Sequence, residues 1–62
     1  MPRKELYDLM VEKRAETGAA WLLSDGAREE WFPKSQCELV SGVDGKYELT
    51  APEWILKEKG FI

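Results

Sequence analysis

Few side chains in this sequence have the types and spacing that chemistry needs. Cys37 is a thiol that could act as a nucleophile, but the chain contains no histidine to serve as its base. Asp25, Glu29 and Glu30 are closely spaced carboxylates, yet their spacing is not that of a calcium loop. One cysteine without histidine also argues against a closed zinc site. The sequence therefore predicts no enzyme, no metal, no cofactor and an inert, buried thiol.

The length predicts one small domain, residues 1–62. A domain of this size buries roughly 60% of its unfolded-chain surface and is marginally stable. Its single cysteine cannot form an internal disulfide. We therefore expect the core to come from the three Trp, two Tyr and two Phe residues. Homodimerisation remains a further way to gain stability.

The charge balance disfavours nucleic acid as a partner. Nine basic against twelve acidic residues give a net charge of −3, whereas nucleic-acid binders carry a basic surplus. No segment is apolar and long enough to span a membrane, and the N-terminus lacks the apolar core of a signal peptide. These features, with one free cysteine, lead us to expect a cytoplasmic protein without a membrane partner.

A β-hairpin is predicted around Asp25-Gly26, because apolar runs flank that turn. Trp21 and Leu23 would share one face of its first strand. Pro33 cannot donate a ladder hydrogen bond and is expected to end the returning strand. Residues 34–36 then read as a tight turn.

The segment 6–17 fits two structures. As a helix it places Leu6, Leu9 and Met10 on one face. As a strand it alternates, although Leu6 and Met10 then fall among the polar residues of the other face. Since an isolated hairpin needs a further strand or a helix to pack on, we favour the strand.

The C-terminal third predicts two short strands and a helix. Residues 37–40 and 46–49 read as strands separated by a loop. Thr50 and Glu53 have the spacing of a capping box, and Gly60 is the expected stop. The side chains expected to be buried from this region are Trp54, Ile55, Leu56, Phe61 and Ile62.

These elements predict a mostly β (α+β) fold. We expect a small, twisted antiparallel meander or SH3-like half-barrel of about four strands, with one short C-terminal helix packed on it. The alternative is a helix–hairpin–helix arrangement, which applies if residues 6–17 are helical.

Several segments together resemble a family of very small proteins encoded in bacteriophages and prophages, often beside replication and recombination genes. The segments are Ala20-Trp21-Leu22-Leu23, Asp25-Gly26, Trp31-Phe32-Pro33-Lys34-Ser35-Gln36, Pro52-Glu53-Trp54 and Lys57-Glu58-Lys59-Gly60-Phe61-Ile62. The resemblance covers residues 6–62. It implies a strand for the first segment, a packing role for Cys37 and no catalytic residues.

Two functions follow as hypotheses. The first is a non-enzymatic module that binds a protein partner through a sheet edge or the 34–36 turn. The second is an accessory nucleic-acid-binding protein for phage replication or recombination, which requires an exposed aromatic beside Lys34 and Arg28. The tryptophans would be a base-stacking platform in this second case and core residues in the first. The candidate interaction surface is Arg28, Trp31, Phe32, Lys34, Ser35 and Gln36.

Overall fold

The fold is a five-stranded antiparallel sheet followed by one short helix. A computed structural model describes residues 5–62; the part of the N-terminal prediction that concerns residues 1–4 lies outside them. The strands are β1 (Leu6–Glu16), β2 (Ala20–Ser24), β3 (Glu29–Pro33), β4 (Glu38–Ser41) and β5 (Tyr47–Pro52), and the helix is α1 (Glu53–Lys59). The mostly β class and the C-terminal helix are thus confirmed, with five strands where about four were expected.

The long first strand organises the sheet, whose order is β3-β2-β1-β5-β4. β1 pairs with β5 through its first half and with β2 through its second half. The register shifts by one residue between Lys13 and Ala15, which is a β-bulge. The strand interpretation of residues 6–17 is therefore confirmed, and the helix–hairpin–helix alternative is wrong. Among residues 5–62, β3 and β4 have one strand neighbour each, so the sheet is open.

The core lies on one face of this sheet, which we call the inner face. Its fully buried strand side chains are Val11, Leu23, Phe32, Leu49 and Ala51, and α1 covers them with Ile55 and Leu56. Phe32 packs edge-on against Phe61, with ring centroids 5.0 Å apart. The buried apolar residues are Val11, Leu23, Phe32, Cys37, Leu49, Ala51, Ile55, Leu56 and Phe61.

The prediction that the tryptophans form the core is wrong for two of the three. Trp31 is 42% exposed and Trp54 is 53% exposed, whereas Trp21 is half-buried against the core. Successive strand side chains point to opposite faces, so burying Phe32 turns Trp31 outward. Trp54 likewise precedes the two helical residues that enter the core.

One of the two predicted helix caps is confirmed. Thr50 does not cap α1: Thr50 lies in β5, and its hydroxyl donates to Asp8 Oδ1 at 2.6 Å. Pro52 is the N-cap, without a side-chain hydrogen bond. Gly60 does end the helix, in the left-handed region at φ 81°. The N–H of Phe61 then donates to Leu56 O at 2.8 Å, which folds Phe61 onto the core and leaves Ile62 half exposed.

The β2–β3 turn is held by the Asp25 carboxylate. Its Oδ1 accepts hydrogen bonds from the N–H of Ala27 at 2.8 Å and of Arg28 at 3.0 Å. Both bonds favour the charged form and hold the pKa of Asp25 below its usual value.

Acidification is expected to lower the urea midpoint of the wild-type chain more than that of Asp25→Asn. A carboxyl group with a depressed folded-state pKa contributes stability above its unfolded-state pKa, and this contribution is lost as pH falls through the folded-state pKa. The asparagine oxygen accepts the same two bonds at either pH. Midpoints measured near pH 7 and near pH 3 test this. An equal acid-induced drop in both proteins would contradict it.

Candidate interaction surface

The face of the sheet opposite the core, which we call the outer face, carries apolar side chains into solvent. Directly paired residues on neighbouring antiparallel strands share a face. Trp31 is paired with Leu22, and Leu22 with Ala15, so all three lie on the outer face. Met10 and Val40 lie on the same face farther along, both paired with Glu48.

The β2–β3 part of the outer face contains a continuous apolar area that includes Trp31. Leu22 lies beside Trp31, and the paired residues Ala20 and Pro33 lie at the next position on this face. Trp31 is on an edge strand, so no strand covers its far side within the described chain. Arg14, at the bulge, borders the area and pairs its guanidinium with Glu12 at 3.0 Å and Glu29 at 3.3 Å.

The β1–β5–β4 part of the outer face alternates apolar and acidic side chains. Its apolar members are Leu6, Met10 and Val40, which are 63%, 50% and 55% exposed. Its acidic members are Asp8, Glu38 and Glu48, all exposed. Asp8 and Glu38 are both paired with Thr50, so they flank it in one row. None of the three carboxylates has an ion-pair partner among residues 5–62.

The six candidates named from the sequence do not form one surface. The prediction that Phe32 belongs to the interaction surface is wrong, because its side chain is fully buried against Phe61. Arg28 and Lys34 lie on the inner-face side, with Arg28 against Gly60 and Lys34 over the Trp21 ring. Trp31 points the other way. The exposed Ser35 and Gln36 lie in a tight turn, as expected.

Lys34, the lysine of the candidate turn, already has contacts within the protein. Its ammonium group donates to Glu16 Oε2 at 2.5 Å and lies 5.6 Å from the Trp21 ring centroid. Lys13 donates to the other Glu16 oxygen at 3.0 Å and lies over the Tyr47 ring. These hydrogen bonds, from Lys34 first and then Lys13, hold the pKa of Glu16 below its usual value. The cluster fastens the turn to β1.

Cys37 is buried, and desolvation raises the pKa of its thiol. A raised pKa lowers the fraction of reactive thiolate at neutral pH. The packing role predicted for this residue agrees with its place in the core cluster.

The outer-face residues Met10, Val40 and Glu48 were not among the sequence candidates. The available signal was the failure of Leu6 and Met10 to follow the polar alternation of β1. Two apolar residues on an otherwise polar strand face mark either a second packing layer or a binding surface. The cross-strand neighbours that settle their position depend on the register, which needs the structure.

Comparison with known proteins gives no match to a family model, a curated protein or a solved structure. Within residues 5–62, no helix has the length and apolar character to cross a membrane. The same residues contain no cluster of three or more His, Cys, Asp or Glu side chains arranged to hold a metal.

Proposed function

We propose that this chain is a small non-enzymatic interaction module that binds a protein partner through its outer face. The observation that carries the proposal is the exposure of Trp31 in a continuous apolar area beside Leu22 and Pro33. A domain with so few core residues gains stability from burying a tryptophan, yet this one faces solvent. Tryptophan is enriched among the residues that dominate protein–protein binding energy.

Edge strands offer a second contribution to binding. β3 and β4 each leave one side unpaired within the described chain. Just beyond the ends of the two strands, the N–H of Lys34 donates to Ala19 O. Hydrogen-bonded and non-hydrogen-bonded pairs alternate along an antiparallel ladder, so the backbone N–H and C=O of Trp31 point away from β2. A partner segment at this edge can take backbone hydrogen bonds and contact the Trp31 side chain together.

We also propose that the chain is related to the small phage and prophage proteins that its sequence resembles. It would then act in the cytoplasm. We take the SH3-like half-barrel as the closer description of the fold. The pairings β1–β2, β2–β3, β4–β5 and β1–β5 support this, because they are those of a meander barrel opened between β3 and β4.

Nucleic acid is the less supported partner. That function needs an exposed aromatic beside Lys34 and Arg28, but Trp31 lies on the opposite face from both. Lys34 is also held in an ion pair with Glu16. The outer face, where the exposed aromatic lies, carries carboxylates that repel phosphate.

Affinity capture from cells that carry the gene tests the function. Tagged full-length wild-type chain is expected to retain one or a few proteins after nuclease treatment, and Trp31→Ser is expected to lose them. Loss follows because removing a tryptophan anchor commonly costs more than tenfold in affinity.

Trp54→Ser is the matched control, since it removes a somewhat more exposed tryptophan from the helix rather than the outer face. Circular dichroism checks that both variants fold. Capture that is abolished by nuclease, or that is equal for wild type and Trp31→Ser, would overturn the proposal.

A further inference from the structure

The β1–β5–β4 part of the outer face combines two features that select a partner. Leu6, Met10 and Val40 project apolar groups from separate positions. Asp8, Glu38 and Glu48 stand between them on the same face. We infer that this surface, which we call the acidic-apolar face, binds a basic, amphipathic polypeptide segment of the protein partner. The inference rests on the proposed function.

The apolar side chains on this face are spaced to contact separate side chains of a partner segment rather than one flat apolar surface. Met10 and Val40 lie on the two strands flanking β5, with Glu48 between them. Neighbouring strands are about 4.8 Å apart, so the two apolar groups are separated by about 10 Å. A segment with apolar residues about two helical turns apart and lysines or arginines between them matches this pattern.

The negative charge on the face indicates that the partner segment is positively charged. The described chain pairs five of its cations with four other carboxylates, those of Glu12, Glu16, Glu29 and Glu53; the cations are Lys13, Arg14, Lys34, Lys46 and Lys57. Glu38 and Glu48 receive none of them. Glu48 lies diagonally across from Asp8 and from Glu38, and the residue directly opposite each of these carboxylates is uncharged. A cationic segment supplies the counter-charge that they lack, which favours its orientation and its rate of association.

Other occupants fit less well. A second copy of this chain would bring the same three carboxylates against each other across a two-fold axis. A nucleic acid would bring phosphates to them. Both arrangements place negative charge on negative charge, whereas a basic segment does not.

Binding of defined peptides tests the inference. The ¹⁵N-labelled full-length chain is titrated with a synthetic amphipathic peptide of leucine and lysine, and with the same peptide carrying glutamate in place of every lysine. The lysine peptide is expected to shift amide signals of β1, β5 and β4. The glutamate peptide is expected to bind at least about tenfold more weakly.

Two matched pairs separate specific docking from general attraction to an acidic protein. Glu48→Gln is expected to raise the dissociation constant several-fold, whereas Glu58→Gln, with the same change in net charge, should alter it less than about twofold. Met10→Ser should weaken binding, whereas Ile62→Ser should not, although the two side chains are 50% and 49% exposed.

Each outcome decides a different claim. Equal effects of Glu48→Gln and Glu58→Gln, or shifts confined to the turn at residues 34–36, would overturn the basic-segment inference. If the glutamate peptide binds the outer face as well as the lysine peptide does, the inference is also overturned, but the proposed function stands. If neither peptide binds, the inference is overturned; if the capture experiment also recovers no protein, the proposed function is overturned as well. Self-association in place of peptide binding would contradict the inference.

Discussion

Phe32→Ala is expected to unfold a large fraction of the protein. The Phe32 ring is fully buried and packs edge-on against Phe61, so its removal leaves a cavity between β3 and the C-terminal residues. Such truncations cost about 3–5 kcal/mol. A chain of this length has a total unfolding free energy of about 3–9 kcal/mol. Urea denaturation followed by far-UV circular dichroism measures the loss.

The neighbouring residue provides the control. Trp31→Ala removes a larger side chain one position away, but from the solvent-facing side of the same strand. Its expected cost is about 1 kcal/mol or less. Phe32→Leu, expected to cost about 1.5 kcal/mol, keeps the comparison measurable if Phe32→Ala does not fold. Similar losses for Phe32→Ala and Trp31→Ala would contradict the assigned orientation of β3.

Gly60→Ala is expected to destabilise the protein by about 1–2 kcal/mol, the cost of placing a side chain in the left-handed region. Gly60 is the C-cap residue of α1 and has φ 81°. A Cβ there would also meet the guanidinium of Arg28. Because that group is the end of a flexible side chain, it can move aside, so the backbone conformation sets most of the cost. The shift in urea midpoint measures it.

Two further variants assign the cause. In an Arg28→Ala background, Gly60→Ala should cost nearly the same, because the contact contributes little. Gly18→Ala should be neutral or stabilising by up to about 1 kcal/mol, since Gly18 lacks a positive φ and a methyl group added there would meet no atom within 4 Å. A loss at position 60 that disappears when Arg28 is removed would show that crowding, not strain, is the cause.

Local sequence signals predicted the strand positions well. The Asp25-Gly26 turn, the end of β3 at Pro33 and the helix stop at Gly60 each depend on the conformational limits of one or two residues. These limits act within a few positions along the chain. The capping box failed because the spacing of Thr50 and Glu53 also suits a strand that runs directly into a helix, and β5 extends to Pro52.

The interaction surface was harder to predict because it depends on pairing between distant strands. The sequence placed Trp31 beside Phe32 and treated both as candidates for one surface. Alternation along β3 separates them, and which of the two is buried depends on the β2–β3 register and on Phe61 arriving from the C-terminus. Hydrophobicity alone favoured burial of the tryptophan. The packing against Phe61 selects Phe32 instead.

The acidic-apolar face shows the same dependence. Asp8, Glu38 and Glu48 are far apart in the sequence and meet because β5 pairs with both β1 and β4. The net charge of −3 indicates an acidic protein but does not locate the charge. The register brings three of the twelve acidic residues to the face that also exposes Met10 and Val40.

The central claim is that the outer face binds a protein, and site-specific photocrosslinking in cells that carry the gene tests it most directly. A photoreactive phenylalanine derivative is placed at Trp31 in one variant and at Trp54 in another, so that both replace an exposed tryptophan. The account predicts a discrete crosslinked protein from position 31 and none from position 54. Equal crosslinking from both positions, crosslinks to nucleic acid, or none from position 31 would contradict it.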